Sequence, residues 1–319
     1  MVCSEKRIVI YGLGRRFQLY EPLFRRLEGQ VAYCDRDVEK LRGREHGISF
    51  AELQAHAGDY DEIVITLTDL MQAAAAMGDI GAESAQYRNI WQLFEEQGLD
   101  EMANRYYGEE NIDAILESAL LRTGKDPAAI RYLEIGTNHP TEGNNTYHFY
   151  QLGARGILVD PLPQSEYLAS LWRSEDRFLR TAVSVHGGGI IDFYVDTAVS
   201  SGISSIHADH YERWGGKRPE RMTVPCISVA ELLEEAGFLP DVLLIDAEGE
   251  DENILRAVPF DAYPVPVICV EVCDMEWERY LRLVAYMKER GYALDTTTQR
   301  RVNSVFVREA GGAASSFLR

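Results

Sequence analysis

The chain has 319 residues, enough for two domains of ordinary size, and its 46% hydrophobic and 26% charged residues are typical of a globular protein. Its formal net charge of −19 argues against nucleic-acid binding, which depends on basic residues that neutralise phosphates. No apolar run approaches the ~20 residues of a membrane helix, and no signal peptide precedes the first strand. We therefore expect a cytoplasmic protein with no membrane partner.

The five cysteines form no CxxC pair. They are Cys3, Cys34, Cys226, Cys269 and Cys273. Cys269 and Cys273 both fall in an apolar stretch and are predicted to be buried. We expect reduced core thiols of a cytosolic protein rather than a metal or redox pair.

Residues 1–70 predict a small α/β module. Its strands are predicted at Arg7–Gly12, Val31–Asp35 and Glu62–Leu67, and its helices at Phe17–Leu27 and Phe50–Ala57. Strands that alternate with helices favour a parallel sheet. The segments YGLG, CDRD, HGISFAEL and DYDEIVIT resemble the small Rossmann-like modules that are fused to sugar-modifying enzymes.

The glycine loop of this module is incomplete as a dinucleotide site. Gly12 and Gly14 permit the turn, but Phe17 stands in place of the third glycine. Asp35 lies 21 residues after Gly14, the right distance for a ribose contact. We favour a structural or mononucleotide-recognising role over a working NAD site.

Residues 71–125 predict a helical connector. AAAA at 73–76 favours a helix, and Ile112, Ile115, Leu116 and Ala119 recur at helical spacing. The pattern allows either a connection between domains or the interface of a homodimer.

Residues 126–319 predict a second α/β domain. Its predicted strands are Tyr132–Ile135, Gly156–Asp160, Phe178–Ser184, Val242–Asp246 and Val267–Val272, followed by a helix at Glu276–Arg290 and strands near Tyr292–Thr296 and Val302–Val307. Five parallel strands closed by an antiparallel hairpin are the layout of a class I S-adenosylmethionine (SAM) methyltransferase, with a Rossmann-like sheet.

Polar residues follow the first two strands of this domain. Gly136 lets the chain turn close to a ligand. Glu134 would repel a pyrophosphate but attract the sulfonium and amino groups of SAM. Asp160 lies 26 residues after Glu134, where ribose hydroxyls are bound. In this fold the third strand ends beside the adenine, so Val183 and Ser184 are candidate contacts.

Further acids are candidates for the chemistry. The segment VLLIDAEGEDENIL places Asp246 and Glu248 after an apolar strand, while Glu271 is a charge within another. His139, in the glycine loop, is a candidate base from its position. A separate pair, His207 and His210, has loose metal-ligand spacing, and we expect it in a loop over the site rather than in a metal centre.

These segments, in order, resemble the FkbM-type SAM-dependent methyltransferases over about residues 130–310. They are YLEIGTNHP, NNTYHFYQLGARGILVDPLP, TAVS, SSGISSI and VLLIDAEGEDENIL. The resemblance implies cofactor contacts at Glu134, Gly136, Asn138 and Asp160, and a pocket wall formed by Asn145, Thr146 and Tyr147. It places Asp246 and Glu248 on the family's I-D-x-E-G motif. Two positions depart from the family pattern. Glu134 stands where Asp is common in the family, and Cys273 lies near the position where a His often follows the acid of the fifth strand.

The resemblance implies SAM as the cofactor and O-methylation of a sugar, glycan or small-metabolite hydroxyl. The catalytic base is then Asp246, Glu248, Glu271 or His139. A divalent metal among the acids could activate the hydroxyl instead, although the pattern predicts no metal site. Two alternatives stay open: a non-catalytic nucleotide-binding or sensing protein, and an NAD-dependent oxidoreductase that uses the N-terminal module.

Overall fold

The computed structural model describes residues 5–100, 106–195, 202, 204–207, 219–273, 275–299 and 302–309. They form two compact units. One contains the described residues of Met1–Arg105 together with Tyr167–Ser174, and the other contains those of Tyr106–Glu166 and Glu175–Arg319. The segment 71–125 contributes to both units. Within the described ranges, no helix is long and apolar enough to cross a membrane.

The first unit is built on a five-stranded sheet in the order β3-β2-β1-β4-β5, in which every pair is parallel. Its elements are β1 (Arg7–Tyr11), α1 (Arg15–Phe24), β2 (Gln30–Cys34), β3 (Gly47–Ile48), α2 (Phe50–His56), β4 (Glu62–Ile65), α3 (Leu70–Ile80), β5 (Tyr87–Asn89) and α4 (Ile90–Glu96). The strands β3 and β5 were not predicted. Tyr87–Asn89 is a strand within the segment expected to be helical.

Capping residues set the helix ends of this unit. Ser49 accepts the N–H of Glu52 at 3.2 Å, and the Glu52 carboxylate accepts the N–H of Ser49 at 2.7 Å, which starts α2. The Asp69 side chain accepts the N–H of Gln72 at 2.9 Å and starts α3. Gly81 ends α3 with a φ of 72°.

The second unit contains a seven-stranded sheet in the order β14-β15-β13-β12-β6-β7-β8. Its elements are α5 (Ile112–Arg122), β6 (Arg131–Ile135), α6 (Tyr147–Leu152), β7 (Arg155–Val159), α7 (Pro163–Trp172, which continues into Tyr167–Ser174 of the first unit), β8 (Arg177–Leu179), β9 (Ala182–Ser184), β10 (Ile190–Val195), β11 (Glu220–Ser228), α8 (Val229–Ala236), β12 (Val242–Ile245), α9 (Asp251–Ala257), β13 (Val267–Glu271), α10 (Trp277–Glu289), β14 (Tyr292–Leu294) and β15 (Asn303–Arg308).

The predicted layout of this sheet is confirmed. The strands β8, β7, β6, β12 and β13 are parallel, and β15 runs antiparallel to both β13 and β14. All four residues of β12 are buried, as expected for a central parallel strand with both faces covered. The core of the unit includes Leu133, Leu243 and Ile268 from the sheet, with Leu233 and Leu283 from helices.

The prediction of a single strand over Phe178–Ser184 is wrong. The chain pairs with β7 only as far as Leu179, and Ala182–Ser184 forms β9 in a separate sheet of order β10-β11-β9. There Cys226 pairs with Ala182 in a parallel register, while β10 and β11 are antiparallel. The strand is interrupted after Leu179 because Ala182–Ser184 pairs with β11 instead of β7. β11 begins at Glu220, far away in sequence.

Candidate active site

The candidate site lies at the carboxyl edge of the seven-stranded sheet. In the sheet, β7 lies on one side of β6 and β12 lies on the other. The strand order therefore reverses between β6 and β12. Open α/β sheets bind ligands at such a point. Ile135 and Ile245 are paired there, and the next residues are Gly136 and Asp246.

Gly136 brings the glycine loop against the chain that follows β12. A Cβ atom on Gly136 would lie 1.6 Å from the carbonyl oxygen of Asp246, and Gly136 has a φ of 83°. No other residue fits this approach without moving backbone. The loop after β6 and the acidic turn after β12 therefore begin side by side.

Glu134 organises the loop that follows it. Both of its carboxylate oxygens accept hydrogen bonds from Asn144 Nδ2 at 3.1 Å, and Thr146 Oγ1 donates to one of them at 2.8 Å. Glu134 is 4% exposed. Its carboxylate thus fixes the distal end of the loop against β6, which the sequence argument for a cofactor contact did not foresee.

The loop itself is packed rather than open. His139 is buried, and its Nδ1 accepts the backbone N–H groups of Thr141 at 3.3 Å and Glu142 at 3.0 Å. In the neutral ring the proton is then on Nε2. The structure therefore gives His139 a role in shaping the loop. Asn145 is also buried, beside the backbone of Gly108.

Asp160, just beyond β7, binds the beginning of the glycine loop. Its two carboxylate oxygens accept the N–H groups of Asn138 and Leu162, each at 2.8 Å. Ser165 Oγ donates to the Asn138 carbonyl at 2.7 Å, and Asn138 adopts a φ of 48°. Burial raises the pKa of Asp160 from 3.8 to about 6, against the lowering effect of these hydrogen bonds.

The structure brings three of the predicted catalytic acids together. Ligand oxygens of Asp246, Glu248 and Glu271 all lie within 4.8 Å of one another, and each of the three is partly buried. This spacing suits a single divalent cation or a set of acceptors around one hydroxyl group. Cys273 Sγ donates to Glu271 Oε1 at 3.0 Å. The prediction that Cys273 is buried is wrong, because it follows the end of β13 and is exposed.

Burial and the neighbouring carboxylates raise the pKa of Asp246. Desolvation raises the pKa of Asp246 well above its usual range, and repulsion from Glu271, Glu248 and Asp251 adds to the effect. Glu109 contributes as well. Glu109 was not singled out in the sequence analysis.

The turn after β12 is shaped by Asp251. Its carboxylate accepts the N–H of Ala247 at 2.6 Å and the N–H of Gly249 at 2.9 Å. Glu248 lies between them with a φ of 48°, a left-handed conformation that is uncommon outside glycine. Asp251 was not singled out as a site residue in the sequence analysis, and this role was missed.

The remaining predicted residues lie elsewhere in the second unit or outside the described residues. Val183 lies in β9 and packs in the hydrophobic core, and Ser184 Oγ accepts a hydrogen bond from Cys226 Sγ at 3.3 Å. His207 Nε2 lies 2.8 Å from Glu250 Oε1, so this histidine does lie beside the acidic turn. His210 and Cys3 lie outside the described residues.

In the first unit, Asp35 is bonded within the protein. Its carboxylate accepts the N–H of Leu13 at 2.6 Å and of Asp37 at 2.8 Å, and Lys40 Nζ lies 3.1 Å away. A Cβ on Gly12 would meet Leu67 at 2.9 Å. Three protein donors therefore occupy the carboxylate that a ribose would need.

The sheet order and the polar residues at its carboxyl edge define a class I methyltransferase fold. Residues 134–294, half of the chain, match the model of the methyltransferase FkbM domain. The chain belongs to the FkbM methyltransferase family, as its motifs predicted. Searches of the curated proteins and of the solved structures found no significant match.

Proposed function

We propose that the chain transfers a methyl group from SAM to a hydroxyl group of a sugar, a glycan or a small metabolite. The observation that carries the proposal is the convergence of Asp246, Glu248 and Glu271 beside the glycine loop. Several carboxylates around one point suit polyhydroxylated acceptors, because each can accept hydrogen bonds from hydroxyl groups.

The residues of the site fit this cofactor. The clustered carboxylates of Asp246, Glu248 and Glu271 attract a cation and repel a pyrophosphate. Gly136 lets the glycine loop approach the Asp246 carbonyl, where a side chain would have no room, and so brings the loop beside the acids. SAM supplies the methyl group and a sulfonium that leaves as a neutral thioether. Asp160, when ionised, is the acceptor for a ribose hydroxyl.

Asp246 is the base in this proposal. The acceptor oxygen forms a bond to the methyl carbon while the carbon–sulfur bond breaks and its electrons pass to sulfur. The hydroxyl proton passes to the Asp246 carboxylate. Its raised pKa makes this carboxylate a stronger base than an exposed aspartate, so proton removal costs less. The four described cysteines that are free suit a reducing compartment such as the cytoplasm.

Calorimetry with SAM, S-adenosylhomocysteine and NAD tests the cofactor. We expect micromolar binding of the first two, and binding of NAD alone would overturn the proposal. Transfer of tritium from methyl-labelled SAM to UDP-glucose, GDP-mannose, GDP-fucose and dTDP-rhamnose then tests the acceptor class.

The same assay separates a protein base from a metal. Activity that survives EDTA supports Asp246 as the base. Activity that is lost in EDTA and restored by Mg²⁺ would instead assign the activation of the hydroxyl to a cation held by the three carboxylates.

A further inference from the structure

The segment 204–207 lies between β10 and β11, far in sequence from the acidic turn after β12. Ser205 pairs with Tyr194 at the end of β10: each backbone N–H donates to the carbonyl of the other, at 2.8 and 3.0 Å. This pairing fixes Ser205 to the hairpin, and Ser205 is 1% exposed.

From this position the segment contacts the acidic turn at two points. Ser205 Oγ donates to the backbone carbonyl of Glu248 at 2.6 Å, and the same oxygen accepts the N–H of His207 at 3.0 Å. His207 Nε2 lies 2.8 Å from Glu250 Oε1. The residues on either side of Gly249 are therefore both held by this segment.

The turn needs such support. Glu248 adopts a left-handed φ of 48°, a conformation that is unfavourable for a residue other than glycine. A strained residue keeps its conformation only when its surroundings hold it there. Asp251 holds the N–H groups on both sides of Glu248, and Ser205 holds its carbonyl. Without these bonds the strained turn that carries the Glu248 carboxylate beside Asp246 and Glu271 would be free to relax.

We infer that Ser205 is a positioning residue for methyl transfer, supported by His207. It acts through the Glu248 backbone and keeps the Glu248 carboxylate within the cluster that meets the acceptor. This inference rests on the proposed function, since Glu248 matters to the rate only if the cluster receives the acceptor. Ser205 falls in the SSGISSI segment of the family resemblance, which assigns it no role, and His207 follows that segment.

The test compares Ser205→Ala with the unaltered chain. We measure the SAM dissociation constant by calorimetry, and kcat per SAM-binding site with tritiated SAM and the nucleotide sugar of the panel that is methylated fastest. We expect kcat to fall about tenfold, the change that corresponds to a lost buried hydrogen bond, while SAM affinity stays within twofold. Hydrogen exchange of a peptide that spans 242–255 should become faster.

His207→Ala and Ser170→Ala complete the experiment. His207 is partly exposed, so its replacement should not impair folding, and we expect a smaller loss of kcat than for Ser205→Ala. Ser170 Oγ also donates to a backbone carbonyl at 2.6 Å, on α7, and Ser170→Ala should leave kcat unchanged.

Two outcomes overturn the inference while the proposed function stands. One is an active chain in which Ser205→Ala keeps its full kcat. The other is a Ser205→Ala variant whose SAM affinity falls as far as its kcat, which indicates a general loss of structure. A chain without the substitutions that binds no SAM overturns the proposed function itself, and with it the role of Ser205.

Discussion

Each of the two α/β units binds an equivalent aspartate carboxylate with the same pattern of backbone hydrogen bonds. The charges around the two carboxylates differ. In each unit an aspartate after the second strand of the motif accepts one N–H from the glycine loop and one from two residues further on. Asp35 does so with Leu13 and Asp37. Asp160 does so with Asn138 and Leu162.

The difference lies in the neighbouring charges. Lys40 approaches the Asp35 carboxylate to 3.1 Å. Burial instead raises the pKa of Asp160, and further acids collect after β12 and β13 in the same unit. The shared hydrogen bonds build a loop in both units, whereas the group of acids beside the second loop suits the cationic ligand that we propose. Similar backbones therefore do not imply similar ligands.

The largest effect is expected for Asp246→Asn. This variant should lose about 10²–10⁴-fold in kcat, because the base for the acceptor proton is removed. Its folding should be intact, since the substitution relieves repulsion from Glu271 and Glu248. Radiometric methyl transfer and circular dichroism check both points. Asp35→Asn serves as the control and should keep its activity; full activity in Asp246→Asn would remove Asp246 from the chemistry.

The matched pair Asp160→Ala and Asp35→Ala tests the comparison directly. We expect Asp160→Ala to weaken SAM binding by about tenfold or more, because a charge-assisted hydrogen bond to the ribose is lost. Asp35→Ala should leave SAM affinity unchanged and lower the free energy of unfolding by about 1–3 kcal/mol, since two backbone donors lose their acceptor. Calorimetric titration and urea unfolding measure these quantities. Equal losses of affinity in both variants would contradict the distinction between the units.

A smaller effect is expected from pH. Asp160 has a pKa of about 6, so acid protonates it and SAM binding should be about tenfold weaker at pH 5 than at pH 7.5. The folded state binds this proton more tightly than the unfolded chain does. The stabilisation from Asp160 is thus full below its ordinary pKa of 3.8 and is lost as the pH rises through about 6.

Affinity and this part of the stability should therefore change in opposite directions with pH. Calorimetry between pH 5 and 7.5, with thermal unfolding at the same pH values, measures both. Asp160→Asn is the control, since it carries no titratable group at this position. If its affinity shows the same pH dependence, another group is responsible.

Much of the second sheet could be predicted from sequence, because buried parallel strands are continuous apolar runs. β12 (Val242–Ile245) and β13 (Val267–Glu271) are examples, and their acids follow directly. The break at Leu179 could not, because it depends on pairing between β9 and a strand that starts at Glu220. No local pattern announces a partner so distant.

Within the site, residue types were predictable but their partners were not. The convergence of Asp246, Glu248 and Glu271 follows from strand order. The bonds from Asn144 and Thr146 to Glu134 depend on the path of an irregular loop, for which no periodicity exists. Ser205 is 43 residues from Glu248, and only the tertiary fold brings them together.

The hairpin of β10 and β11 leaves and rejoins the fold at neighbouring points, since Ala182 before it pairs with Cys226 near its end. Any replacement of the chain between these anchors has to retain a hydroxyl donor for the Glu248 carbonyl. The hairpin is thus tied to the fold at its two ends and, through Ser205, to the acidic turn after β12.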